Sequence, residues 1–396
     1  MKGAVAVTGF SLFTPCGVGW EALASALDAG RVAVEPATDA PAVGVARIVD
    51  FDPLRHVNVR GMRVYPRATQ LEICAASLAL GDAGLSGDAA LDPRDLGLVT
   101  ASSYSHLETL LEYDRGLVSA GMQRTNPTLM PLGLPSAPGA ATGLALPARA
   151  FSITLNDGGA SGLAALGLGA RAIAAGRARA CVVAGAFTPF AELLESSSRA
   201  GNAASAERFR VLDRDAAGVA FGEAAAALVL EPLELALGRG RMPLGIVRAE
   251  STRFAPTAEL APALGRALSA ALAAAGAGEG GVSLACAGAN GSPREDAAHV
   301  DALSSALGAH AARVVVAAPK ANLGEAFDPS GLVQAVVALG ALRARRAPPI
   351  ARLTTPRGSA LRLPMAPAEL APGLALLTSI SPSGSCSALV LSLGAE

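Results

Sequence analysis

A strand, a turn and a helix in the middle of the chain have the pattern of a nucleophile elbow that lacks its nucleophile. Residues Phe151–Leu155 are apolar and rich in β-formers, residues 156–159 form a polar turn with glycine, and residues 160–175 have helical composition. Such a unit places one residue at a helix N-terminus, where free N–H groups and the helix dipole would make a cysteine a reactive thiolate. Here that position is Gly159, which has no side chain to react.

Lysine is almost absent from the chain, which draws attention to position 320. Of 32 basic residues only Lys2 and Lys320 are lysine, a bias that fits a GC-rich bacterial genome. An ammonium is a compact point charge, whereas the guanidinium of arginine is a planar fork. An internal lysine therefore indicates a position that requires an ammonium, and a surface lysine retained by chance fits the sequence equally well.

The composition predicts a large, well-buried α/β protein. The chain has 396 residues, of which 51% are hydrophobic and 44 are glycine, so we expect two domains or two fused halves. A net charge of −1 gives no basic excess for binding nucleic acid. Arg or Glu interrupts the alanine-rich runs every few residues, so no run is predicted to span a membrane.

The cysteines and the N-terminus favour a cytoplasmic location. The cysteines are odd in number, scattered, mostly in apolar contexts and without a CxxC pattern, which predicts reduced, buried thiols and no metal site. They are Cys16, Cys74, Cys181, Cys286 and Cys386. The first residues enter a strand at once and show no cleavage signal.

The predicted elements repeat. In the first half we expect strands at 4–9, 95–101, 151–155 and 180–186, helices at 20–29, 68–83 and 160–175, and a hairpin or paired strands at 218–231. Residues 119–148 are rich in Pro and Gly and are predicted to form an irregular cap, and residues 196–206 a loop. In the second half we expect helices at 262–275, 297–307 and 329–344, and strands at 282–287, 313–318, 374–378 and 388–393. A β-α-β-α-β-β order that occurs twice predicts two pseudo-equivalent halves, 1–240 and 241–396.

Several motifs resemble, in the right order, those of the β-ketoacyl synthases of the thiolase superfamily. The elbow Gly158-Gly159-Ala160-Ser161-Gly162 is similar to the family's Ala-Cys-(Ala/Ser/Thr)-Ser-Gly, with Gly159 in the cysteine position. Residues 213–223 resemble the family's Asp-Arg-Asp-Gly-Phe-Val-x-Gly-Glu, 233–240 its Leu-Glu-x-Ala-x-x-Arg-Gly, and 7–17 its first strand and turn. The resemblance covers nearly the whole chain and implies a thiolase-like fold with layers in the order α-β-α-β-α.

The same resemblance implies that the catalytic apparatus has been lost. The family's first histidine, in Asn-Ala-His-Gly-Thr, corresponds to Asn290, and its second, five residues beyond a lysine, corresponds to Glu325, while Lys320 is retained. The family's gating Phe corresponds to Pro382. Condensation requires the cysteine for the acyl chain and the histidines for the developing enolate, so we expect the chain not to run a Claisen condensation.

Other candidate catalytic residues are weaker. The four histidines lie outside the motif positions and are His56, His106, His299 and His310; we interpret His299 as a surface or packing residue. Ser161 or Cys16 could replace the missing nucleophile, but the motif positions offer no histidine base for Ser161.

The resemblance is closest to chain-length factors, the inactive ketosynthase-β subunits of type II polyketide synthases. It implies that side chains of this subunit form the far wall of an active partner's acyl tunnel and so set the length of an aromatic or polyene product. The candidate wall lies on one predicted helical face and in the loop beyond it. It comprises Leu107, Leu110, Leu111, Asp114, Met130 and Leu132. Plain core packing explains the same stripe equally well.

The resemblance also implies the partners. We expect an obligate heterodimer with an active ketosynthase, formed across strand Phe151–Leu155, and acyl chains delivered on the phosphopantetheine of an acyl carrier protein, with no other cofactor. Two alternatives stay open: a malonyl-carrier-protein decarboxylase or chain-initiation protein, and a purely structural subunit that docks the carrier protein. The loss of both histidines disfavours the decarboxylase.

Overall fold

The computed structural model describes residues 3–358 and 360–394. The first half of the chain forms the following elements: β1 (Val5–Thr14), β2 (Gly17–Val18), α1 (Trp20–Asp28), β3 (Glu35–Pro36), β4 (Gly44–Ala46), α2 (Arg67–Asp82), β5 (Leu96–Ala101), α3 (Leu107–Ala120), α4 (Leu129–Leu132), α5 (Ala137–Ala145), β6 (Phe151–Leu155), α6 (Ser161–Ala174), β7 (Ala180–Phe187), α7 (Ala191–Arg199), β8 (Phe221–Gly222), β9 (Ala224–Pro232) and α8 (Leu233–Gly238).

The second half begins with a long strand that the sequence analysis did not predict. Its elements are β10 (Gly245–Phe254), α9 (Leu260–Ala274), β11 (Val282–Ala287), α10 (Pro293–Leu307), β12 (Val315–Ala317), α11 (Lys320–Leu323), α12 (Ser330–Ala344), β13 (Arg346–Ala347), β14 (Ala368–Glu369), β15 (Leu374–Ile380) and β16 (Ser385–Ser392). The predicted division at 240/241 falls in the turn between α8 and β10.

The main sheet shows the internal repeat directly. Its strands follow the order β12-β11-β15-β16-β10-β1-β9-β7-β5-β6. Reading inward from either edge gives the same pattern: two parallel pairings (β6 with β5 and β5 with β7, or β12 with β11 and β11 with β15) and then two antiparallel ones. A short antiparallel pairing between β1 and β10 joins the halves. The predicted duplication is confirmed.

Three apolar clusters separate the layers. One lies between α2 and one face of the first-half strands, and another between α9, α10 and one face of the second-half strands. The middle cluster contains α6 and α12 together with strands of both halves. Helix α12 is buried around nearly its whole circumference, as expected for a helix between the two halves of the main sheet. The layer order is therefore α-β-α-β-α.

The middle helices touch where each begins, and glycine permits the approach. A Cβ at Gly162 in α6 would lie 2.8 Å from the carbonyl oxygen of Asp328 and 3.0 Å from the amide nitrogen of Gly331 in α12. A Cβ at Gly331 would lie 2.5 Å from the amide nitrogen of Leu163. The two helix N-termini are thus held together backbone to backbone at the centre of the molecule.

Two predicted irregular segments contain helix. The stretch 119–148 holds the end of α3, all of α4 and all of α5, and α7 extends into the predicted loop 196–206. Pro138 lies in the first turn of α5, where proline lacks only an N–H that would be unpaired anyway. Pro138 therefore marks the start of a helix within a stretch that was predicted to be an irregular cap.

The predicted hairpin at 218–231 is wrong. Strand β8 pairs in parallel with β4 in a small separate sheet, whereas β9 lies between β1 and β7 in the main sheet. The buried carboxylate of Glu223 marks the change of sheet, accepting hydrogen bonds from the amide of Ile48 and from Arg67. Gly222 and Glu223 therefore move the chain between sheets and do not reverse its direction.

All five cysteines are free thiols; Cys16 is half-buried and the others are buried. None of the helices in the described ranges is both long enough and apolar enough to cross a bilayer.

We predict that Gly331→Ala destabilises the protein, because its methyl group would meet the backbone of α6. We expect a loss on the order of 1–3 kcal/mol in the free energy of unfolding, measured by urea denaturation. The matched control is Gly265→Ala inside α9, where a Cβ meets no atom. This control should be neutral or stabilise by up to about 1 kcal/mol. Equal effects of the two substitutions would contradict the contact.

Candidate functional site

The elbow is closed by a set of small polar contacts. After β6, a short 3-10 turn (Gly158–Ala160) leads into α6. The amide of Asp157 donates to Ser161 Oγ at 2.8 Å, the amide of Gly158 donates to Ser103 Oγ at 2.8 Å, and the two serine hydroxyls lie 2.9 Å apart. Ser161 is fully buried and its hydroxyl stabilises the turn. No basic side chain in the described ranges hydrogen-bonds to it, so it is not an activated nucleophile.

The space for a side chain at Gly159 is filled by the turn between β15 and β16. A Cβ there would lie 2.6 Å from the carbonyl oxygen of Ile380, and the hydroxyl of Ser379 donates to the Gly159 carbonyl. Gly158 has a φ of +58°, and a Cβ on it would collide with Ser381 Oγ. The apex of the elbow therefore lacks a nucleophile and also lacks the volume for one.

The structure brings together Asn290, Lys320 and Glu325. The ammonium of Lys320 lies 2.6 Å from Glu325 Oε2, and the same oxygen accepts a hydrogen bond of 3.0 Å from Asn290 Nδ2. All three side chains are buried. The chain's internal lysine thus serves an ion pair, which agrees with the expectation that position 320 requires an ammonium.

Glu325 is held as a carboxylate. Burial alone would raise its pKa, but the charge of Lys320 and the hydrogen bonds from Lys320, Asn290 and the amide of Phe327 bring the pKa below its ordinary value. Its other oxygen, Oε1, accepts from the amide of Phe327 at 2.8 Å and the hydroxyl of Ser330 at 3.0 Å. A carboxylate only accepts hydrogen bonds, so Glu325 has no proton to offer an oxyanion.

Asn290 has no free donor either. Its amide nitrogen carries two hydrogens, and Nδ2 lies 3.0 Å from Glu295 Oε2 as well as 3.0 Å from Glu325 Oε2. Asp296 fixes the loop that carries Asn290 by accepting hydrogen bonds from the backbone amides of Asn290 and Gly291. Both side-chain N–H groups are therefore committed to carboxylates within the protein.

A cavity of about 540 Å³ reaches this cluster from the surface. Asn290 and Glu295 lie on its wall, together with Tyr104, Phe327 and Pro382, whereas Gly159 is not among the lining residues. Burial, followed by the negative charge of Glu325, raises the pKa of Glu295 to about 7. The predicted gate residue Pro382 does line a cavity, but this cavity ends at Asn290 and Glu295 rather than at the elbow.

Sequence reasoning missed two residues next to Glu325. Phe327 has a φ of +48° and packs against Tyr104, with ring centroids 4.2 Å apart. Buried Asp328 accepts the amides of residues 103, 104 and 105, which ties the start of α12 to the loop after β5. An aspartate directly before Pro329 and a helix resembles an ordinary helix start, so nothing in the amino-acid pattern indicated this long-range contact.

The predicted tunnel residues do share helix α3 and the segment after it, but their environments differ. Leu107 and Leu111 pack against the internal cluster of Phe187, Phe190 and Phe327. Leu110 lies against Gly133, the residue that follows α4, since a Cβ at Gly133 would be 2.9 Å from the Cα of Leu110. The remaining three predicted wall residues are exposed or half-buried: Asp114, Met130 and Leu132.

Strand β6 lies at the edge of the main sheet and, within the described ranges, pairs only with β5. Apolar side chains are exposed on the neighbouring helices α3 to α5 and their connections. They are Val118, Met122, Met130, Leu134 and Leu144. An unpaired strand edge beside exposed apolar surface has the properties of a protein–protein interface.

The remaining candidates occupy structural positions. Burial lowers the pKa of His299 to about 3, and its Nδ1 lies 2.9 Å from Thr378 Oγ1, so it packs as a neutral imidazole. Burial also lowers the pKa of His106, whereas His56 stacks on Phe51. Burial raises the pKa of the Cys16 thiol, which argues against an activated nucleophile there.

Comparison with known families matches the chain almost from end to end. Residues 2–236 match the model of the β-ketoacyl synthase N-terminal domain, and residues 246–354 that of its C-terminal domain. The chain is 30% identical to the proposed β-ketoacyl synthase 2 of the actinorhodin polyketide in Streptomyces coelicolor, covering 98% of each chain. It is 27% identical to the 3-oxoacyl-[acyl-carrier-protein] synthase 2 of a Synechocystis strain, covering 90% of this chain and 89% of the relative.

Solved structures show the same fold. The ishigamide ketosynthase/chain length factor superposes with a TM-score of 0.89 at 23% identity, covering 99% of both chains. A second structure is the AntDE:AntF complex, in which a type II polyketide synthase acyl carrier protein is bound to its ketosynthase with the hexaketide. One of its chains superposes with a TM-score of 0.86 at 19% identity, covering 98% of this chain and 99% of that one. The thiolase-like fold is thereby confirmed.

We predict that Gly159→Cys lowers the stability of the protein, because the new Cβ would collide with the Ile380 carbonyl. The expected loss is on the order of 1–3 kcal/mol in the free energy of unfolding, measured in urea. The control Gly159→Ala introduces the same Cβ without a thiol and should lose a similar amount. A cysteine variant as stable as the wild type would show that the elbow has room for a side chain.

We also predict an unusual pH dependence at Glu295. Its folded pKa of about 7 lies above the ordinary 4.5, so its proton stabilises the folded state below pH 4.5 and this contribution is lost as the pH rises through 7. Glu295→Gln keeps an acceptor for Asn290 without the charge. Relative to the wild type it should gain on the order of 3 kcal/mol between pH 5 and pH 8 in urea unfolding. The exposed control Glu279→Gln should show no such trend, and a pH-independent difference for Glu295→Gln would refute the assignment.

Proposed function

The chain belongs to the β-ketoacyl synthase family, and we propose that within it the chain acts as a chain-length-factor-like subunit of a type II polyketide or polyene synthase. It would pair with an active ketosynthase and set the length of the product that the partner makes. The observation that carries this proposal is the elbow apex, where Gly159 has no nucleophile and the Ile380 carbonyl occupies the space for one.

The electrostatics of the site support the absence of condensation. Decarboxylative condensation needs a thiolate to carry the acyl chain and hydrogen-bond donors for the developing enolate oxygen. Here both N–H groups of Asn290 donate to Glu295 and Glu325, the buried ammonium of Lys320 is paired with Glu325, and Glu325 is itself a carboxylate. The absence of a histidine at positions 290 and 325 also disfavours decarboxylation of a malonyl group.

The exposed edge of the sheet supports pairing with a second subunit. The free side of β6 offers unpaired backbone groups, and α3 to α5 expose apolar side chains beside it. An antiparallel pairing of β6 with the same strand of a ketosynthase would continue the sheet through both subunits. Obligate interfaces of this kind typically bury more than ~2,000 Å² in total.

The chain-length role is steric. The acyl chain, carried to the partner by the phosphopantetheine of an acyl carrier protein, would grow from the partner's cysteine toward this subunit and stop where side chains fill the path. Leu110 and Met130 are the sharpest wall candidates, because Leu107 and Leu111 also support the internal aromatic cluster. Overlap with a wall side chain would cost on the order of 1–3 kcal/mol per inserted group and so compete with the next condensation.

The relatives support this reading at the level of whole chains. The actinorhodin relative covers the chain almost completely, and the two structural neighbours described above are named for a ketosynthase/chain length factor and for a hexaketide-bound ketosynthase with its carrier protein. The proposal is therefore best tested in an assembly of this chain with a ketosynthase and an acyl carrier protein.

The test is co-expression with an active ketosynthase and its carrier protein, followed by mass spectrometry of the carrier-bound product. The isolated chain should form no condensation product, and the pair should co-elute. We predict that Leu110→Ala lengthens the product by at least one two-carbon unit and that Leu110→Trp shortens it. The matched control is the exposed Leu237 on α8, substituted in the same two ways, which should leave the product unchanged.

Two outcomes would contradict the proposal. Condensation by the isolated chain above a no-enzyme control would show a working catalytic site. Wild-type product distributions from folded, co-eluting Leu110 and Met130 variants would show that the tunnel is walled elsewhere.

A further inference from the structure

A second cavity lies where the two halves of the sheet meet, beside the pairing of β1 with β10. Its volume is about 400 Å³, within the range of small-molecule sites, and it shares no lining residue with the cavity at Asn290. Six apolar side chains form most of its wall: Phe10, Trp20, Leu27, Leu244, Val336 and Leu339.

Glycines set the shape of this cavity. A Cβ at Gly340 in α12 would collide with the ring of Trp20, so the indole lies directly against the helix backbone. At Gly245 a Cβ would collide with Leu339, which allows β10 to approach α12 equally closely. Trp20 is the only tryptophan of the chain and is half-buried.

The charged side chains of the cavity are unequal in sign. Arg343 and Arg346 line it from the end of α12 and just beyond, and Asp28 is the single acid among the lining residues. All three are exposed, and none forms an ion pair within the described ranges. An apolar pocket beside two arginines that have no ion-pair partner in the described ranges is complementary to a molecule that is apolar along its length and anionic at one end.

We propose that this cavity binds a small amphipathic carboxylate, with its apolar body against Trp20 and Leu339 and its carboxylate at Arg343 and Arg346. The proposal stands apart from the chain-length role, because it uses neither the elbow nor the β6 edge. An aliphatic and an aromatic acid offer the same chemistry, and the experiment separates them by using one of each.

The single tryptophan makes the test direct. The full-length protein is titrated with decanoate below its micelle concentration, and Trp20 fluorescence is recorded; 2-naphthoate, which absorbs in the same region, is titrated by calorimetry. We expect a saturable change with decanoate and at least fivefold weaker binding of decanol, which has the same chain without the charge. The relative affinities of decanoate and 2-naphthoate identify the preferred apolar body.

Variants locate the site. Arg343→Gln and Arg346→Gln should each weaken decanoate binding roughly twofold to fivefold, as expected for exposed ion pairs, and leave decanol unaffected. Ala24→Phe, which would fill the cavity, should weaken both ligands at least tenfold. Arg313→Gln, an exposed arginine outside the cavity, should change neither. The absence of saturable binding of either acid would overturn the proposal, as would decanoate binding that is insensitive to both arginine substitutions.

Discussion

The structure depends on one constraint: backbone must meet backbone at the centre of the molecule. The carbonyl of Ile380 lies against Gly159, and the start of α12 lies against Gly162 of α6. Both approaches are so close that a Cβ on either glycine would collide with the facing backbone. These contacts fix the elbow, the two middle helices and the β15–β16 turn relative to one another. Because the Ile380 carbonyl occupies the volume that a side chain at position 159 would need, the packing that stabilises the fold also leaves no room for a nucleophile at the elbow.

The cluster of Asn290, Lys320 and Glu325 is held by a second physical constraint. Lys320 is buried, and a buried ammonium needs a partner, which Glu325 supplies at 2.6 Å. Asn290 then bridges Glu325 to Glu295, so that the polar groups of the cluster satisfy one another. Removing one member of such a buried pair typically costs 3–5 kcal/mol, which makes the cluster hard to change one residue at a time. The cluster is therefore a structural unit in its own right.

The sequence was sufficient for the periodic elements and for the motif positions. Strand Phe151–Leu155 is found where it was expected, and Asn290, Lys320 and Glu325 do meet, because motif spacing is carried by the fold. The sequence could not show that Ile380 fills the elbow or that Asp328 ties α12 to the loop after β5, since both contacts join segments more than 200 residues apart. It also missed β10, whose alternation of Arg248 and Glu250 with smaller residues is weak.

A closed elbow beside an open cavity favours a role in shape rather than in reaction. The cavity at Asn290 is lined by Asn290, whose N–H groups are already hydrogen-bonded, and by the carboxyl group of Glu295, so a group that enters it meets no nucleophile among the lining residues. A partner protein would instead meet the outer surface: the free side of β6 and the exposed apolar side chains of α3 to α5. This surface lies at one edge of the sheet and includes the region of Leu110 and Met130. A partner that covered it would therefore bring its acyl tunnel next to the side chains proposed to limit chain growth. Assembly and length control would then be one property of a single surface.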